Sequence, residues 1–180
     1  DQAVKYTRLH GSLNFGPGGS TADVIETLDE YGVVPESVYR GLEYGEDNHK
    51  HGEIDNILKN YVNGVIANRN RTLTPVWFKG YKGVLDAYFG EKPESFQYNG
   101  KTYTPQSLAA ELGLKSDNYV SLTSFTHHDF YTEFPVEIPD NWRWANSYNL
   151  PLEELIETID NAIMNGYTVV WATDVSEVGF

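Results

Sequence analysis

The side chains best able to bind a metal or move a proton in this sequence include two pairs of histidines. The first pair, His49 and His51, lies in a polar stretch with Glu43, Glu46 and Asp47. Imidazole and carboxylate groups are ligands of zinc and of other transition ions. Residues two positions apart on a helix point to different faces, however, and no strand pattern surrounds this pair. We therefore predict a surface loop here and assign no metal site.

The second pair, His127 and His128, is followed directly by Asp129. Neighbouring side chains of an extended chain point to opposite sides, so a metal ion shared by both histidines would need a special loop. A structural role is favoured, in which one imidazole forms a hydrogen bond with the loop backbone. Neither histidine is assigned to catalysis.

Two adjacent glycines, Gly18 and Gly19, stand just before a predicted helix that runs from Thr21 to Tyr31. Ser20 is a suitable N-cap, and Asp23 is placed to complete a capping box and to meet the positive end of the helix dipole. Because glycine has no Cβ, another chain can approach the backbone N–H and C=O groups of this pair closely. A tight turn is the alternative interpretation, since glycine pairs are common in loops.

Composition excludes several classes of function. The chain has 180 residues, 40% of them apolar and 14% aromatic, which favours a folded domain. A net charge of −13 argues against binding to nucleic acids or to anionic membranes. No cysteine is present, so disulfides and thiolate metal sites are excluded. No apolar run reaches the roughly 20 residues that span a bilayer. The compartment stays open between cytoplasm and periplasm.

The elements that must position these residues are mostly helices. Apolar residues at three- and four-residue spacing predict amphipathic helices over 51–68, 77–89 and 151–165. Asn99-Gly100 between alternating aromatic residues predicts a β-hairpin with a type I′ turn. Thr104 and Pro105 begin a short helix that ends before Gly113. Further strands are predicted at 119–124 and, buried on both faces, at 167–172.

The glycine pair and the helix of about three turns are followed by the sequence YGVVPESVY at 31–39. Further motifs lie later in the chain: YVSLTS at 119–124, FTHH at 125–128, IPDN at 138–141, YNLPL at 148–152 and WATDV at 171–175. The first group resembles the segment that follows the nucleophile helix in the papain-like cysteine peptidases. The order and spacing of the later motifs narrow the resemblance to the bleomycin hydrolase and aminopeptidase C branch, and above all to the aminopeptidase C-like proteins of Bacteroidetes-type bacteria.

The resemblance implies an α+β fold of the papain-like type, incomplete, with the helix-rich part, insertions and the first strand of the β part. Residues 1–180 would be the central segment of one peptidase domain, and about 47–146 would be family-specific elaboration. In this superfamily the glycine pair lines the substrate cleft and hydrogen-bonds the substrate backbone, which assigns Gly18 and Gly19 to substrate binding. The strand at 167–172 would border the opposite side of the cleft, so Val170 and Ala172 are candidates for a specificity wall, with core packing as the alternative.

The catalytic residues of the family have no counterpart in this chain. Such enzymes need a cysteine thiolate, an activating histidine, an asparagine and an oxyanion glutamine. By resemblance, two of these would precede the glycine pair and two would follow Phe180. We therefore expect a fragment of a cysteine peptidase that is inactive alone, acts on peptide substrates in the complete enzyme and uses no cofactor. The alternative is a non-catalytic binding module with this fold.

The partners expected are the missing segments of the same protein and further copies of the chain. Without those segments, the apolar faces of the helices at Thr21 and Pro151 and of the strand at Tyr167 would lack neighbours. Exposed apolar faces of that size favour association. We expect a homo-oligomer, with no nucleic-acid or membrane partner.

Overall fold

Helices carry most of the regular structure in the computed structural model, which describes residues 1–173. None of the helices in this range is both long enough and apolar enough to cross a bilayer. The helices are α1 (Gln2–Arg8), α2 (Thr21–Tyr31), α3 (Gly52–Ile66), α4 (Val76–Phe89), α5 (Pro105–Glu111) and α6 (Leu152–Met164), with a 3-10 turn at Ser116–Asn118. The strands are β1 (Phe96–Tyr98), β2 (Lys101–Tyr103), β3 (Leu122–Thr123), β4 (Glu133–Pro135) and β5 (Asn146–Asn149).

The larger of two apolar cores lies where α1, α3 and α4 meet. Ile54, Leu58 and Val62 recur every four residues on α3, so they share one face, and all three are buried. Tyr6 of α1 and Tyr81 of α4 complete this core. The apolar periodicity thus predicted α3 and α4 with their buried faces, and the structure confirms both helices.

The second core lies between a β-hairpin and α5. Asn99 and Gly100 have φ angles of +48° and +77°, as a type I′ turn requires, and Phe96 pairs with Tyr103 across the hairpin. These two aromatic side chains pack with Leu108 of α5. The predicted hairpin and the predicted short helix are both confirmed.

The end of α2 is joined to the start of α5 through Gly32. This glycine has a φ of +73°, and a Cβ built on it would lie 2.2 Å from the carbonyl carbon of Pro105. The next residue, Val33, donates its N–H to the Pro105 carbonyl at 3.1 Å. Only glycine combines the positive φ with this close approach, so Gly32 both ends α2 and fixes where the helix docks.

A small three-stranded sheet has the order β3-β5-β4, with β3 parallel and β4 antiparallel to β5. The strand predicted over 119–124 is shorter than expected, since only Leu122–Thr123 pairs with β5. β4 (Glu133–Pro135) lies in a stretch for which no strand was predicted. Pairing with β5 therefore decides which residues become strands, and that pairing is not encoded locally.

The predicted strand over 167–172 is wrong for this chain. Residues 167–173 have no regular secondary structure, and the side chains of Val170 and Trp171 are 74% and 70% exposed. A strand needs a neighbour to hydrogen-bond with, and no strand within residues 1–173 pairs with this segment. The preceding helix α6 is confirmed, but it contains no buried residue.

Candidate functional site

Gly18 and Gly19 lie at the surface, directly before the N-cap of α2. Both glycines are exposed. Within residues 1–173, neither uses its backbone N–H or C=O in a hydrogen bond with another residue. The exposed and unbonded main chain is therefore accessible to an extended peptide, and the assignment of Gly18 and Gly19 to substrate binding stays a prediction.

The helix that follows is held by a capping box between Ser20 and Asp23. Its well-aligned half is the hydrogen bond from the Ser20 N–H to Asp23 Oδ2, at 2.8 Å. The second contact of the capping box is between the Ser20 hydroxyl and the Asp23 N–H. Its geometry is too poor for a hydrogen bond. The carboxylate also sits at the positive end of the helix dipole. This capping fixes the position of the glycine pair relative to α2.

A carboxylate lies close to each glycine and would contact any side chain introduced there. A Cβ at Gly19 would lie 2.6 Å from Asp23 Oδ2, the oxygen that caps the helix. A Cβ at Gly18 would lie 2.9 Å from Asp140 Oδ1, which accepts a long hydrogen bond from the Asn14 amide at 3.4 Å. Alanine at Gly19 would therefore disturb the cap, whereas alanine at Gly18 would displace only the end of an exposed side chain.

Arg143 is the residue at this site that sequence reasoning missed. Its Nε lies 3.1 Å from Asp23 Oδ1, an ion pair without hydrogen-bond alignment. Its two terminal nitrogens lie 3.2 Å from Glu26 Oε2 and 3.5 Å from Asp1 Oδ2. Only 16% of the Arg143 side chain is exposed. One guanidinium thus ties the first turns of α2 to the start of α1, and no local sequence signal marks it.

An apolar groove of about 490 Å³ runs along α2 next to the capped end. The apolar residues that line it include Ile25, Leu28, Val33, Leu114 and Tyr119. Val24, on the rim, is 66% exposed, and α2 has no buried residue. The apolar face predicted for this helix is present, but it is only partly covered, since Ile25 and Leu28 are half-buried.

Phe15 lies on the loop before the glycine pair and packs against Tyr6, with ring centroids 5.2 Å apart. Phe15 therefore packs on its own domain.

Val170 and Ala172, the predicted specificity wall, are both exposed in the irregular segment after α6. Since the strand that was to carry them is not formed, their part in a cleft stays a prediction. Asp174, the acidic residue of the last motif, lies outside the described residues.

The two histidine pairs differ in their surroundings. The rings of His49 and His51 are 5.5 Å apart in an edge contact, and His51 also meets the ring of Phe89. His127 and His128 instead both direct Nε2 toward the carboxylate of Glu137. One of these rings was predicted to hydrogen-bond the loop backbone, but both contact the Glu137 side chain instead.

This chain is similar to known proteins in its structure but not in its sequence. No family model matches the chain, and no curated protein matches it in sequence. The helices and small sheets define a mixed α+β fold of the papain-like peptidase type, as the sequence predicted.

A solved structure with this fold is that of PepW from Lactobacillus rhamnosis HN001 (DR20), determined as the selenomethionine derivative. The TM-score is 0.68 at 14% sequence identity, over 92% of this chain and 46% of the PepW chain. This chain therefore spans about half the length of PepW. At so low an identity the likeness shows the fold alone.

Proposed function

We propose that this chain is the central segment of a cysteine peptidase of the bleomycin hydrolase and aminopeptidase C type, with Gly18 and Gly19 binding the substrate backbone. The observation that carries the proposal is the exposed, unbonded main chain of this pair at the head of a capped helix. The structural likeness to PepW supports it at the level of the fold. The motif order described above supports the narrower assignment.

The reaction follows from the chemistry of a thiolate nucleophile. The thiolate attacks the carbonyl carbon of a peptide, the amine leaves with a proton from the activating histidine, and water then releases the acyl group from sulfur. Backbone groups at Gly18 and Gly19 would hold the peptide extended while its carbonyl meets the nucleophile. Since this chain has no cysteine, the nucleophile has to come from another segment. The chain alone is expected to be inactive.

Exposed apolar surface supports a need for partner segments. Val24 on α2 is 66% exposed, and on α6 the side chains of Leu152, Ile156 and Ile163 are 57%, 46% and 56% exposed. Exposed apolar side chains on one face of a helix are typical of a contact site in folded proteins. Missing segments of the same protein or further copies of the chain would cover these helix faces.

The absence of cysteine also favours a second candidate, a binding module that kept the glycine-lined surface and lost its chemistry. The two candidates differ in one respect that can be measured. A peptidase requires a thiol nucleophile in the complete coding sequence, whereas a module binds extended peptides and leaves them intact.

The test uses the product of the complete coding sequence and a series of alanine variants. We expect Gly18→Ala to lower kcat/KM for aminoacyl-coumarin substrates about tenfold, because a side chain there blocks a backbone hydrogen bond to the peptide. Adding Asp140→Ala removes the carboxylate that the new Cβ would meet. The double variant should therefore regain the wild-type melting temperature and still be slow.

Gly16→Ala is the matched control, because a Cβ at Gly16 would have no neighbour within 4 Å. It should keep both stability and turnover. Wild-type turnover by the Gly18→Ala/Asp140→Ala variant would show that Gly18 does not contact the substrate. If the product of the complete coding sequence binds peptides but shows no thiol-dependent hydrolysis, the binding module is the correct candidate and the peptidase is wrong.

A further inference from the structure

The loop that carries His127 and His128 is organised by a fully buried asparagine. Asn149, at the end of β5, is 0% exposed. Its amide donates to the carbonyls of Phe125, His128 and Asp129 at 2.9, 3.1 and 3.3 Å, and its Oδ1 accepts the Phe125 N–H at 2.8 Å. This is the special loop that two neighbouring histidines need in order to face the same way.

Contacts with aromatic rings fix the two imidazoles further. The His128 ring stacks on Phe134 of β4 with centroids 3.8 Å apart and an interplanar angle of 21°. The His127 ring lies 4.4 Å from that of His128 and 5.4 Å from that of Phe125. Phe134 is only 6% exposed, so the floor beneath the imidazoles is part of the packed structure. The rings are therefore oriented before any ligand arrives.

A carboxylate meets both imidazoles on their solvent side. Glu137 follows β4, and its Oε1 lies 2.8 Å from His128 Nε2 while its Oε2 lies 3.3 Å from His127 Nε2. The three ligand atoms all lie within 4.8 Å of one another. Around a tetrahedral zinc ion, ligand atoms about 2.1 Å from the metal lie about 3.4 Å apart. The two carboxylate–imidazole distances are close to this separation, which is compatible with an ion held between the three groups.

We propose that His127, His128 and Glu137 form a binding site for a divalent transition-metal ion of the zinc type. Imidazole and carboxylate are the ligand types that such ions take, and three protein ligands leave one position for water. The side chains of His127 and Glu137 are 56% and 59% exposed, so that fourth position opens to solvent. The net charge of −13 further favours a cation.

The other histidine pair is a useful contrast within the same molecule. His49 and His51 lie side by side as well, but among residues 1–173 no carboxylate joins them in a three-ligand group. A metal that merely collects on adjacent imidazoles would bind both pairs alike. A built site would bind only at His127, His128 and Glu137.

The experiment titrates Zn²⁺ into the full chain, prepared without a histidine tag, by isothermal titration calorimetry at pH 7. We expect one ion per chain and a Kd at least about tenfold weaker in His128→Gln and in Glu137→Gln. The double variant His49→Gln/His51→Gln should bind as the wild type does. The side chains of His128 and Glu137 are 31% and 59% exposed, so neither substitution leaves a buried cavity. Circular dichroism verifies the fold of every variant.

Nuclear magnetic resonance of the histidine side chains provides a reading that needs no variant. Zn²⁺ at one equivalent should shift the ring signals of His127 and His128 and leave those of His49 and His51 in place. Equal binding by the wild type and by the Glu137→Gln variant would overturn the proposal, as would shifts confined to His49 and His51. A wild type that binds no Zn²⁺ would leave three hydrogen-bonded side chains and no metal site.

Discussion

Helices α3 and α6 are both amphipathic and differ by only two residues in length, yet their apolar faces have opposite surroundings. α3 has 15 residues, and its Ile54 and Val62 are 1% and 0% exposed. α6 has 13 residues, and its Ile156 and Ile163 are 46% and 56% exposed. Apolar spacing therefore sets which face of a helix seeks contact, whereas burial depends on a partner elsewhere in the chain or outside it.

Helix α2 shows a third arrangement. It has no buried residue, like α6, but polar contacts and a close backbone approach hold both of its ends. Arg143 binds acidic side chains in its first turns, and Gly32 docks its last turn against Pro105. A helix can thus be fixed in place while its apolar face stays available to another segment.

The largest expected effect comes from truncating one apolar residue in each of the two contrasted helices. We expect Ile54→Ala to lower the free energy of unfolding by about 3 to 4 kcal/mol, because it removes buried methyl groups and leaves a cavity. Ile156→Ala should cost less than about 1 kcal/mol in this chain, since the side chain is already half exposed. Urea unfolding followed by circular dichroism measures both.

Repeating Ile156→Ala in the product of the complete coding sequence sharpens the contrast. If a further segment covers α6 there, the same substitution should cost about 2 kcal/mol or more. An equal and large loss for Ile54→Ala and Ile156→Ala in this chain alone would mean that α6 is already packed and would contradict the comparison.

A smaller effect is expected at Arg143, because its contacts are charged and partly exposed. Arg143→Met keeps the apolar stem and removes the guanidinium, which leaves Asp23 only 15% exposed and without its ion partner. We expect a loss of about 2 kcal/mol in the free energy of unfolding, smaller in high salt. The same urea titration gives the value.

Arg69→Met serves as the control for that substitution. Arg69 is exposed and forms no ion pair with any of residues 1–173. Its replacement should change the free energy of unfolding by no more than about 0.5 kcal/mol. Equal effects of the two substitutions would show that the Arg143 contacts do not hold α2.

The smallest effect concerns the polar contact of α6 with the rest of the molecule. Tyr131 Oη donates to Glu154 Oε1 at 2.5 Å, and this hydrogen bond to the carboxylate raises the pKa of Tyr131. Because the folded protein holds the phenol proton more tightly than the unfolded chain does, the hydrogen bond stabilises the fold fully below the tyrosine pKa of the unfolded chain, about 10. This stabilisation is lost as the pH rises through the tyrosine pKa of the folded protein. Tyr131→Phe should therefore destabilise slightly at pH 7.

Urea titrations at pH 7, 9 and 11 check the direction of this dependence. The difference between wild type and Tyr131→Phe should be largest at pH 7 and should shrink toward pH 11. A difference that grows with pH would mean that the tyrosinate, and not the phenol, is the form that the fold favours.

Local signals in the sequence were enough for the elements whose causes are local. The three- and four-residue spacing predicted α3, α4 and α6 to within a few residues of their ends. Asn99-Gly100 predicted the hairpin turn, and Thr104 with Pro105 predicted the start of α5. The fold class also followed, because the motif order pointed to the fold that the structure has.

What the sequence did not predict depends on distant neighbours. The stretch 167–172 is rich in β-branched and aromatic residues, but no strand among the described residues pairs with it. Arg143 binds α2 from 120 positions away in the chain, counted to Asp23. His127 and His128 face one carboxylate in a loop whose carbonyls accept hydrogen bonds from Asn149, some 20 residues further along the chain. None of these contacts leaves a local pattern.

The most direct test of the proposed peptidase is the intact mass, under denaturing conditions, of every polypeptide in a preparation treated with a thiol-directed peptidyl epoxide. If the chain is part of a peptidase, the sample contains one polypeptide, or a set of companion segments, that includes this sequence with a cysteine before Gly18 and a histidine after Phe180. The polypeptide that carries the cysteine then gains the mass of one inhibitor. A single species of 20.4 kDa that gains no inhibitor would contradict the proposal and would leave the fold as the only link to the peptidases.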